Sequence, residues 1–118
     1  MMSVRRSKRG GNKPYSPRER LFVYGTLRYA KYQREAFGRV TKGKRSVLTH
    51  FARSVGANRY FIIRPKRRSR VNGLVIVVTN PELRQIDAYE QGYVRKKVRL
   101  TDDTDAWTYT YPLDPTHL

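Results

Sequence analysis

The carboxylate of Glu90 lies at a position in the chain where the fold of a protein can shift its pKa. Glu90 ends the segment Ile86-Asp87-Ala88-Tyr89-Glu90, just before Gly92 and Tyr93. A carboxylate at the end of a helix can lie in a cleft, where loss of water raises its pKa toward that of a general base. The alternative is an ordinary solvated glutamate. Asp87 is the nearest competing carboxylate, and it can instead cap or bond locally.

The second chemical feature is the segment Leu21-Phe22-Val23-Tyr24-Gly25-Thr26-Leu27, an apolar run that leads into a glycine. This pattern predicts a short buried strand followed by a tight turn. Successive backbone N–H groups in such a turn can hold a carboxylate or another anion. A turn that only ends the strand is the other interpretation, and both stay open on the pattern alone.

Composition excludes several classes of site. The chain has 118 residues and no Cys, which excludes disulfides, thiolate zinc sites and Cys nucleophiles. Its two histidines, His50 and His117, lack spaced partners, so we expect no metal site. Phosphate-loop, dinucleotide and G-x-S-x-G motifs are absent from the sequence. With no bilayer-length apolar run and no secretory signal, we expect a cytoplasmic protein without a membrane partner.

Composition and periodicity predict the elements that must position these residues. Residues 1–19 are rich in Gly, Pro, Ser, Lys and Arg and are predicted to form a disordered basic arm, with one domain over residues 20–118. Residues 64–70 contain Pro65 and five basic side chains, which predicts a loop or hairpin tip. Strands are predicted at 21–24, 47–53, 59–63, 71–79, 94–100 and 107–111, and a short helix at 30–38.

The clearest strand and the clearest helix are adjacent. Residues 71–79 form an unbroken Val- and Ile-rich run, which is typical of a strand buried on both faces. Asn80 is the predicted N-cap of the next helix, with Pro81 at the first helical position. Helical spacing continues to Tyr89, and Gly92 is placed to stop the helix. The order of elements predicts an α+β domain, a small mixed barrel or sheet with a packed helix.

Together these motifs resemble those of the γ-glutamylcyclotransferase-like family, which includes the AIG2-like proteins. The matching segments follow the family's order and cover roughly residues 20–111. They are Tyr24-Gly25-Thr26-Leu27, Val71-Asn72-Gly73, Ile86-Asp87-Ala88-Tyr89-Glu90, Tyr93-Val94-Arg95 and Ala106-Trp107-Thr108-Tyr109. Segment 39–70 departs from the family pattern, because it is far more basic and lacks the usual small apolar, Pro-containing stretch.

The resemblance implies an α+β fold in which a small mixed β-barrel with flanking helices encloses one cavity. It implies release of 5-oxoproline from a small γ-glutamyl amine or amino acid, without metal or cofactor. Glu90 would take a proton from the substrate's α-amino group and return it to the leaving nitrogen. Tyr93, and Tyr109 or Tyr111, would line the pocket. The backbone N–H groups that would hold the α-carboxylate belong to Tyr24, Gly25, Thr26 and Leu27.

The charge of the chain supports a second hypothesis. The formal net charge is +17, and only Glu19 and Glu35 are acidic in the first 70 residues. Such a field attracts polyanions. The alternative function is therefore a non-catalytic or additional role as a binder of nucleic acid or of an acidic partner; a merely solvated basic surface is the third interpretation.

This second hypothesis uses three basic segments and the aromatic residues among them. Tyr29, Tyr32 and Tyr60 lie among basic residues and are candidates to stack on bases. The three segments are the arm with Arg5, Arg6, Lys8, Arg9 and Lys13, the run with Arg64, Lys66, Arg67, Arg68 and Arg70, and the run with Arg39, Lys42, Lys44 and Arg45.

Overall fold

The computed structural model describes residues 17–112. The predicted basic arm over residues 1–19, with Arg5, Arg6, Lys8 and Arg9, lies almost wholly outside the described residues and stays a prediction. The predicted domain over residues 20–118 also stays a prediction. The first strand begins at Arg18, two residues before the predicted start of the domain, because Arg18 and Glu19 pair with Thr79 and Val78.

Residues 17–112 form strands, two α-helices and a short 3-10 turn. The elements are β1 Arg18–Val23, α1 Ala30–Phe37, β2 Lys44–Val55, β3 Phe61–Thr79, α2 Asn80–Tyr89, β4 Val94–Arg99 and β5 Asp105–Thr110, and the 3-10 turn is Thr26–Arg28. These bounds confirm the predicted α+β class. Each predicted helix and strand overlaps an observed one.

The strands form one five-stranded sheet in the order β2-β3-β1-β5-β4. Strand β1 is central: Leu21 pairs with Ile76 in antiparallel β3 and with Trp107 in parallel β5. The sheet is curled, and its two edges approach each other at one point, where the Thr101 N–H, just after β4, donates to the Val47 carbonyl of β2 at 3.1 Å. The result is an open half-barrel, which agrees with the predicted small mixed barrel.

Neighbouring residues of the central strands pack on opposite faces of the sheet, because side chains alternate along a strand. Leu21 and Ile76 belong to a core cluster with Ile86 of α2. Phe22 and Val75 belong to the other cluster, inside the curl of the sheet. Val75 and Ile76, on opposite faces of β3, are therefore both buried, whereas Asn72 and Val77 are exposed. The prediction of a strand buried on both faces thus holds for only part of residues 71–79.

Gly73 lets β1 and β3 pack closely beside the turn that follows β1. A Cβ at this position would lie 2.5 Å from the Val23 carbonyl oxygen and 2.7 Å from the Phe22 ring. Both distances are too short for a methyl group. Glycine is therefore required here for close approach of the two strands.

The prediction of a loop or hairpin tip at 64–70 is wrong. These residues belong to β3, and the tip of the β2–β3 hairpin lies earlier, between Val55 and Phe61. There the Arg59 N–H donates to the Gly56 carbonyl at 2.9 Å. Proline and clustered charge suggested a chain reversal, but charged side chains are also tolerated on a strand whose outer part is exposed to water.

The basic segment of β3 is nevertheless irregular. Thr49 of β2 faces Arg70, whereas Phe51 faces Pro65, so only His50 of β2 lies opposite four residues of β3. This wide bulge interrupts the ladder of hydrogen bonds. Because the ladder is already interrupted, the missing N–H of Pro65 is tolerated.

The N-cap of α2 was predicted one residue too late. Thr79, not Asn80, is the cap: its hydroxyl accepts from the Glu82 N–H at 3.3 Å, and the Glu82 carboxylate accepts from the Thr79 N–H at 2.9 Å. This reciprocal capping box forms because β3 runs directly into α2, so its last extended residue becomes the cap. The helix ends at Tyr89 as predicted, and Gly92 follows with a φ of 90°.

Candidate active site

A cavity of about 470 Å³ opens beside the turn that follows β1. Its walls come from that turn, from one face of α1, from the tip of the β2–β3 hairpin and from the residues after α2. The core strands hold the turn, and α2 is fixed by its capping box. Both segments that the sequence predicts to be functional, the turn after β1 and the residues around Glu90, therefore line this cavity.

Glu90 enters this cavity because the chain reverses directly after α2. Its N–H donates to the Ile86 carbonyl at 2.8 Å, and its own carbonyl accepts from the Tyr93 N–H at 3.1 Å. The side chain is half-buried and lines the cavity. Within residues 17–112 its carboxylate has no hydrogen-bond or ion-pair partner. Burial therefore raises the pKa of Glu90 from 4.5 to about 7.

Three tyrosines lie within electrostatic reach of this carboxylate. Burial is the main cause that raises the pKa of Tyr24, Tyr93 and Tyr109, and the negative charge of Glu90 adds to it in each case. All three line the cavity. At neutral pH they are protonated hydroxyls around a single titrating acid.

The turn after β1 offers backbone donors to the same cavity. The N–H groups of Gly25, Thr26 and Leu27 have no acceptor among the described residues, whereas the next two N–H groups close the 3-10 turn. All three residues line the cavity. Successive backbone N–H groups without a partner in the protein can hold an anion.

Buried Gln33 of α1 fixes the shape of this turn. Its side-chain amide donates to the Leu27 carbonyl at 2.9 Å and accepts from the Thr41 N–H at 2.9 Å. The side chain is 2% exposed. This role is not predictable from the sequence, because a glutamine on a short helix is ordinarily a solvated residue.

Asp87 has a structural role beside the cavity. It accepts two hydrogen bonds from Arg95, at 2.7 and 3.0 Å, and one from the Tyr109 hydroxyl at 2.6 Å. Burial opposes ionisation of this carboxyl, but the bonds from Arg95 and Tyr109 outweigh it and lower the pKa of Asp87. The Tyr109 carbonyl in turn accepts from the Tyr24 hydroxyl. Asp87 therefore stays ionised and anchors the tyrosine wall, and its bonds are not the local ones expected from sequence.

Tyr93 ties the hairpin tip to the loop that carries Glu90. Its hydroxyl donates to the Phe61 carbonyl at 2.9 Å and accepts from the Asn58 amide at 3.1 Å. Tyr111 packs its ring edge-to-face against Tyr93, with centroids 5.5 Å apart. Tyr111 supports Tyr93 without lining the cavity.

A family model described as gamma-glutamyl cyclotransferase, AIG2-like, matches residues 21–117. The chain belongs to this family. The resemblance drawn from the motifs is thereby confirmed, and γ-glutamyl cyclotransferase-like activity is supported at the level of the family. No curated protein matches the sequence.

Solved structures of low sequence identity share the AIG2-like fold. The solution structures of two Arabidopsis thaliana proteins, At3g28950.1 and At5g39720.1, are both 24% identical to the chain, with TM-scores of 0.73 and 0.72. The first match covers 84% of this chain and 66% of that protein, and the second covers 92% and 79%. A gamma-glutamyl cyclotransferase structure is 14% identical, with a TM-score of 0.65, and the match covers 81% of this chain and 68% of that protein. At these identities the likeness establishes the fold alone.

The cavity of this AIG2-like protein has the opposite charge to the chain as a whole. Glu90 and Glu35 line it, and no Lys or Arg among the described residues does so, although the chain carries 26 of them. Glu35 is held by the Tyr89 hydroxyl at 3.2 Å. The ionisable carboxyl groups of Glu35 and Glu90 are therefore unopposed by any Lys or Arg in the described lining, in a strongly positive protein.

The structure brings most of the predicted site residues of this AIG2-like protein together. Those that line the cavity are Tyr24, Gly25, Thr26, Leu27, Glu90, Tyr93 and Tyr109. Tyr32 and Tyr60, which we expected to stack on bases, also line it. Sequence reasoning missed Glu35, whose position one turn after Tyr32 on α1 was the available signal. Asn58 gave no signal, because its role depends on where the hairpin ends.

Metal and membrane features can be stated for the described residues only. Between residues 17 and 112, no group of three or more His, Asp or Glu side chains is arranged to hold a metal ion. No helix in that part of the chain has the length and apolar character needed to cross a membrane.

Proposed function

We propose that this protein is a γ-glutamyl cyclotransferase that releases 5-oxoproline from a small γ-glutamyl amine or amino acid, with Glu90 as the acid/base. One observation carries the proposal. Glu90 is a half-buried carboxylate with a pKa of about 7, and it shares a cavity with three unpaired backbone N–H groups. A group that titrates near the working pH is suited to accept a proton and then return it.

The two ends of the cavity match the two charged groups of a γ-glutamyl substrate. We place the α-carboxylate on the N–H groups of Gly25, Thr26 and Leu27, since aligned backbone donors favour an anion. The α-ammonium group then faces the carboxylate of Glu90. In this placement the α-carboxylate faces hydrogen-bond donors and the α-ammonium group faces a carboxylate. The γ-carbonyl then lies among Tyr24, Tyr93 and Tyr109.

The reaction needs only this positioning and one proton carrier. Glu90 takes a proton from the α-ammonium group, and the freed nitrogen attacks the γ-carbonyl carbon. The new C–N bond closes the five-membered ring, and Glu90 gives its proton to the leaving nitrogen as the bond between that nitrogen and the γ-carbon breaks. The ring nitrogen then loses its second proton to the Glu90 carboxylate, which passes it to the departing amine, so that the amine leaves as an ammonium ion and Glu90 is again a carboxylate. Because the attack is intramolecular, correct orientation supplies much of the rate enhancement. No oxidant, reductant or further reactant is required.

The charge of the cavity selects among leaving groups. Glu35 and the absence of Lys or Arg in the described lining disfavour an anionic leaving group and favour a neutral or cationic amine. We expect γ-glutamyl amines to be turned over faster than γ-glutamyl-glutamate. Glu35→Gln reduces that preference if Glu35 is its source, and an unchanged ratio of kcat/KM values would contradict this assignment.

The pH dependence of turnover tests the role of Glu90. We expect kcat/KM to rise with pH and to level off above about pH 7, because the basic form of Glu90 is required. Glu35→Gln, a matched loss of one carboxylate from the same cavity, should keep this profile. A profile that is flat between about pH 5 and about pH 8 would contradict a base with this pKa. The expectations of no cofactor and of a cytoplasmic location stay predictions.

A further inference from the structure

A long basic segment lies between α1 and α2. From Glu35 to Glu82 the sequence has no other acidic residue. The basic residues in that interval are Arg39, Lys42, Lys44, Arg45, Arg53, Arg59, Arg64, Lys66, Arg67, Arg68 and Arg70. Most of this segment is the β2–β3 hairpin, so its charge is displayed on one structural unit.

The densest part of this charge is on the bulge of β3. Residues 64–68 and Arg70 are exposed, and the bulge separates the chain from its partner strand. Within residues 17–112, none of the five basic side chains between Arg64 and Arg70 has an ion-pair or hydrogen-bond partner. Elsewhere in the described residues three arginines form ion pairs with carboxylates, as Arg39 does with Glu82 at 2.7 Å. The bulge therefore presents cations that the protein itself does not neutralise.

A surface groove begins at this bulge. It has a volume of about 450 Å³, and Arg70, Arg53 and Arg28 line it together with Ser69 and Asn72. No acidic residue of the described chain lines this groove. Arg28 and Arg53 each donate one hydrogen bond to a backbone carbonyl, of Gly25 and Tyr24 respectively. The remaining guanidinium N–H groups of the three arginines, with two small polar neighbours, suit the oxygens of phosphate groups.

The groove continues past an exposed aromatic ring. A neighbouring depression is lined by Arg28, Tyr29 and Arg45, and also by one carboxylate, that of Asp102. Tyr29 is 54% exposed, and the Arg28 guanidinium lies 5.1 Å from the centre of its ring. A cationic track with an exposed aromatic side chain is the arrangement that binds single-stranded nucleic acid through its backbone and stacks its bases.

We propose that this surface, from the β3 bulge along the groove to Tyr29, binds single-stranded nucleic acid without sequence selectivity. The surface shares no lining residue with the candidate active site. An array of cations that form no ion pair within residues 17–112 fits a flexible polyanion, and release of counterions on binding provides the driving force. The proposal does not depend on the cyclotransferase reaction.

A matched pair of variants tests it. The groove variant carries Lys66→Gln, Arg67→Gln and Arg70→Gln. The control variant carries Arg34→Gln, Arg84→Gln and Lys96→Gln, at exposed positions elsewhere in the domain. Each variant loses three positive charges, so the net charge falls from +17 to +14 in both. Circular dichroism checks that both are folded.

Binding of the full-length protein to a fluorescent 20-nucleotide single strand of mixed sequence is measured by anisotropy across a salt series. We expect the affinity of the groove variant to fall at least about 10-fold at about 50 mM salt, and the slope of log K against log salt to fall by about 2. The control variant should change affinity less than about threefold, because its cations lie away from the groove.

Several outcomes would overturn the proposal. These are no binding by the wild type at low salt, an equal loss in the control variant, or equally tight binding of a duplex of the same length. Equal affinity for poly-glutamate would indicate an acidic protein partner instead. Glu90→Gln should leave nucleic-acid binding unchanged, and the groove variant should leave 5-oxoproline release unchanged, so this proposal and the proposed function can fail separately.

Discussion

Glu90→Gln should stabilise the protein at neutral pH, although it removes the proposed acid/base. The Glu90 carboxylate is half-buried with no partner in the described chain, so its charged form is poorly solvated. Glutamine keeps the size of the side chain and removes the charge. A residue that costs stability in order to titrate near neutral pH is typical of a functional site.

The size of the effect follows from the pKa of Glu90. In the unfolded chain the group titrates near 4.5, and in the folded protein near 7. Between these two values the folded state binds the proton more tightly, so stability is greatest below 4.5 and is lost as the pH rises to about 7. Each pH unit of this interval is worth about 1.4 kcal/mol, which gives about 3 kcal/mol in total.

Urea unfolding of wild type and Glu90→Gln at several pH values measures this directly. We expect equal free energies of unfolding at about pH 4 and an advantage of about 3 kcal/mol for the variant at about pH 8. Glu82→Gln is a control of opposite sign, because the hydrogen bonds from Arg39 lower the pKa of Glu82. Glu82→Gln should lower the free energy of unfolding by about 0.5 kcal/mol at neutral pH, and this difference from the wild type should disappear in acid.

The reasoning is refuted if the two free energies of unfolding differ by the same amount at every pH. A pH-independent difference would mean that Glu90 titrates alike in the folded and unfolded chains. The carboxylate would then be solvated, and the physical basis for its role as a base would be lost.

Three further changes test the architecture around the site. Thr79→Ala should lower the free energy of unfolding by about 1 kcal/mol through loss of the capping box, whereas Asn80→Ala should cost less than about 0.5 kcal/mol; thermal melts compare the two. Gly73→Ala should destabilise by about 1–3 kcal/mol in urea unfolding, since its methyl group would meet the backbone of β1. Tyr109→Phe removes the hydrogen bond to Asp87 and should cost about 1 kcal/mol, measured in the same way. Equal losses of stability for Thr79→Ala and Asn80→Ala would contradict the capping box at Thr79. Unchanged stability in Gly73→Ala or Tyr109→Phe would contradict the close approach at Gly73 or the hydrogen bond from Tyr109 to Asp87.

The parts of the fold that sequence predicted are those set by local rules. The run from Val71 to Thr79, the helix that ends at Tyr89 and the turn at Gly25 each follow from apolar patterning and turn chemistry, and the structure has all three. Glu90 enters the cavity because a helix end and a glycine turn are adjacent in the chain. This geometry follows from a few neighbouring residues.

The parts that sequence did not predict depend on contacts between distant segments. Asp87 is anchored by Arg95 and by Tyr109, which lies 22 residues further along the chain. The bulge of β3 arises from the register between two long strands, which single-strand patterns do not contain. The cap of α2 shifted to Thr79 because β3 continues into the helix without a loop. Each of these features requires knowledge of what packs against the segment.

The most direct test of the proposed function is 5-oxoproline release from a panel of γ-glutamyl compounds, with wild type, Glu90→Gln and Glu35→Gln assayed side by side. The panel includes γ-glutamyl amines, γ-glutamyl-lysine and γ-glutamyl amino acids, and unfolding curves confirm that each variant is folded. We predict release by the wild type, at least about a 100-fold loss in Glu90→Gln, and retained release in Glu35→Gln. Release by Glu90→Gln at the wild-type rate, or no release from any compound by the folded wild type, would contradict the central claim.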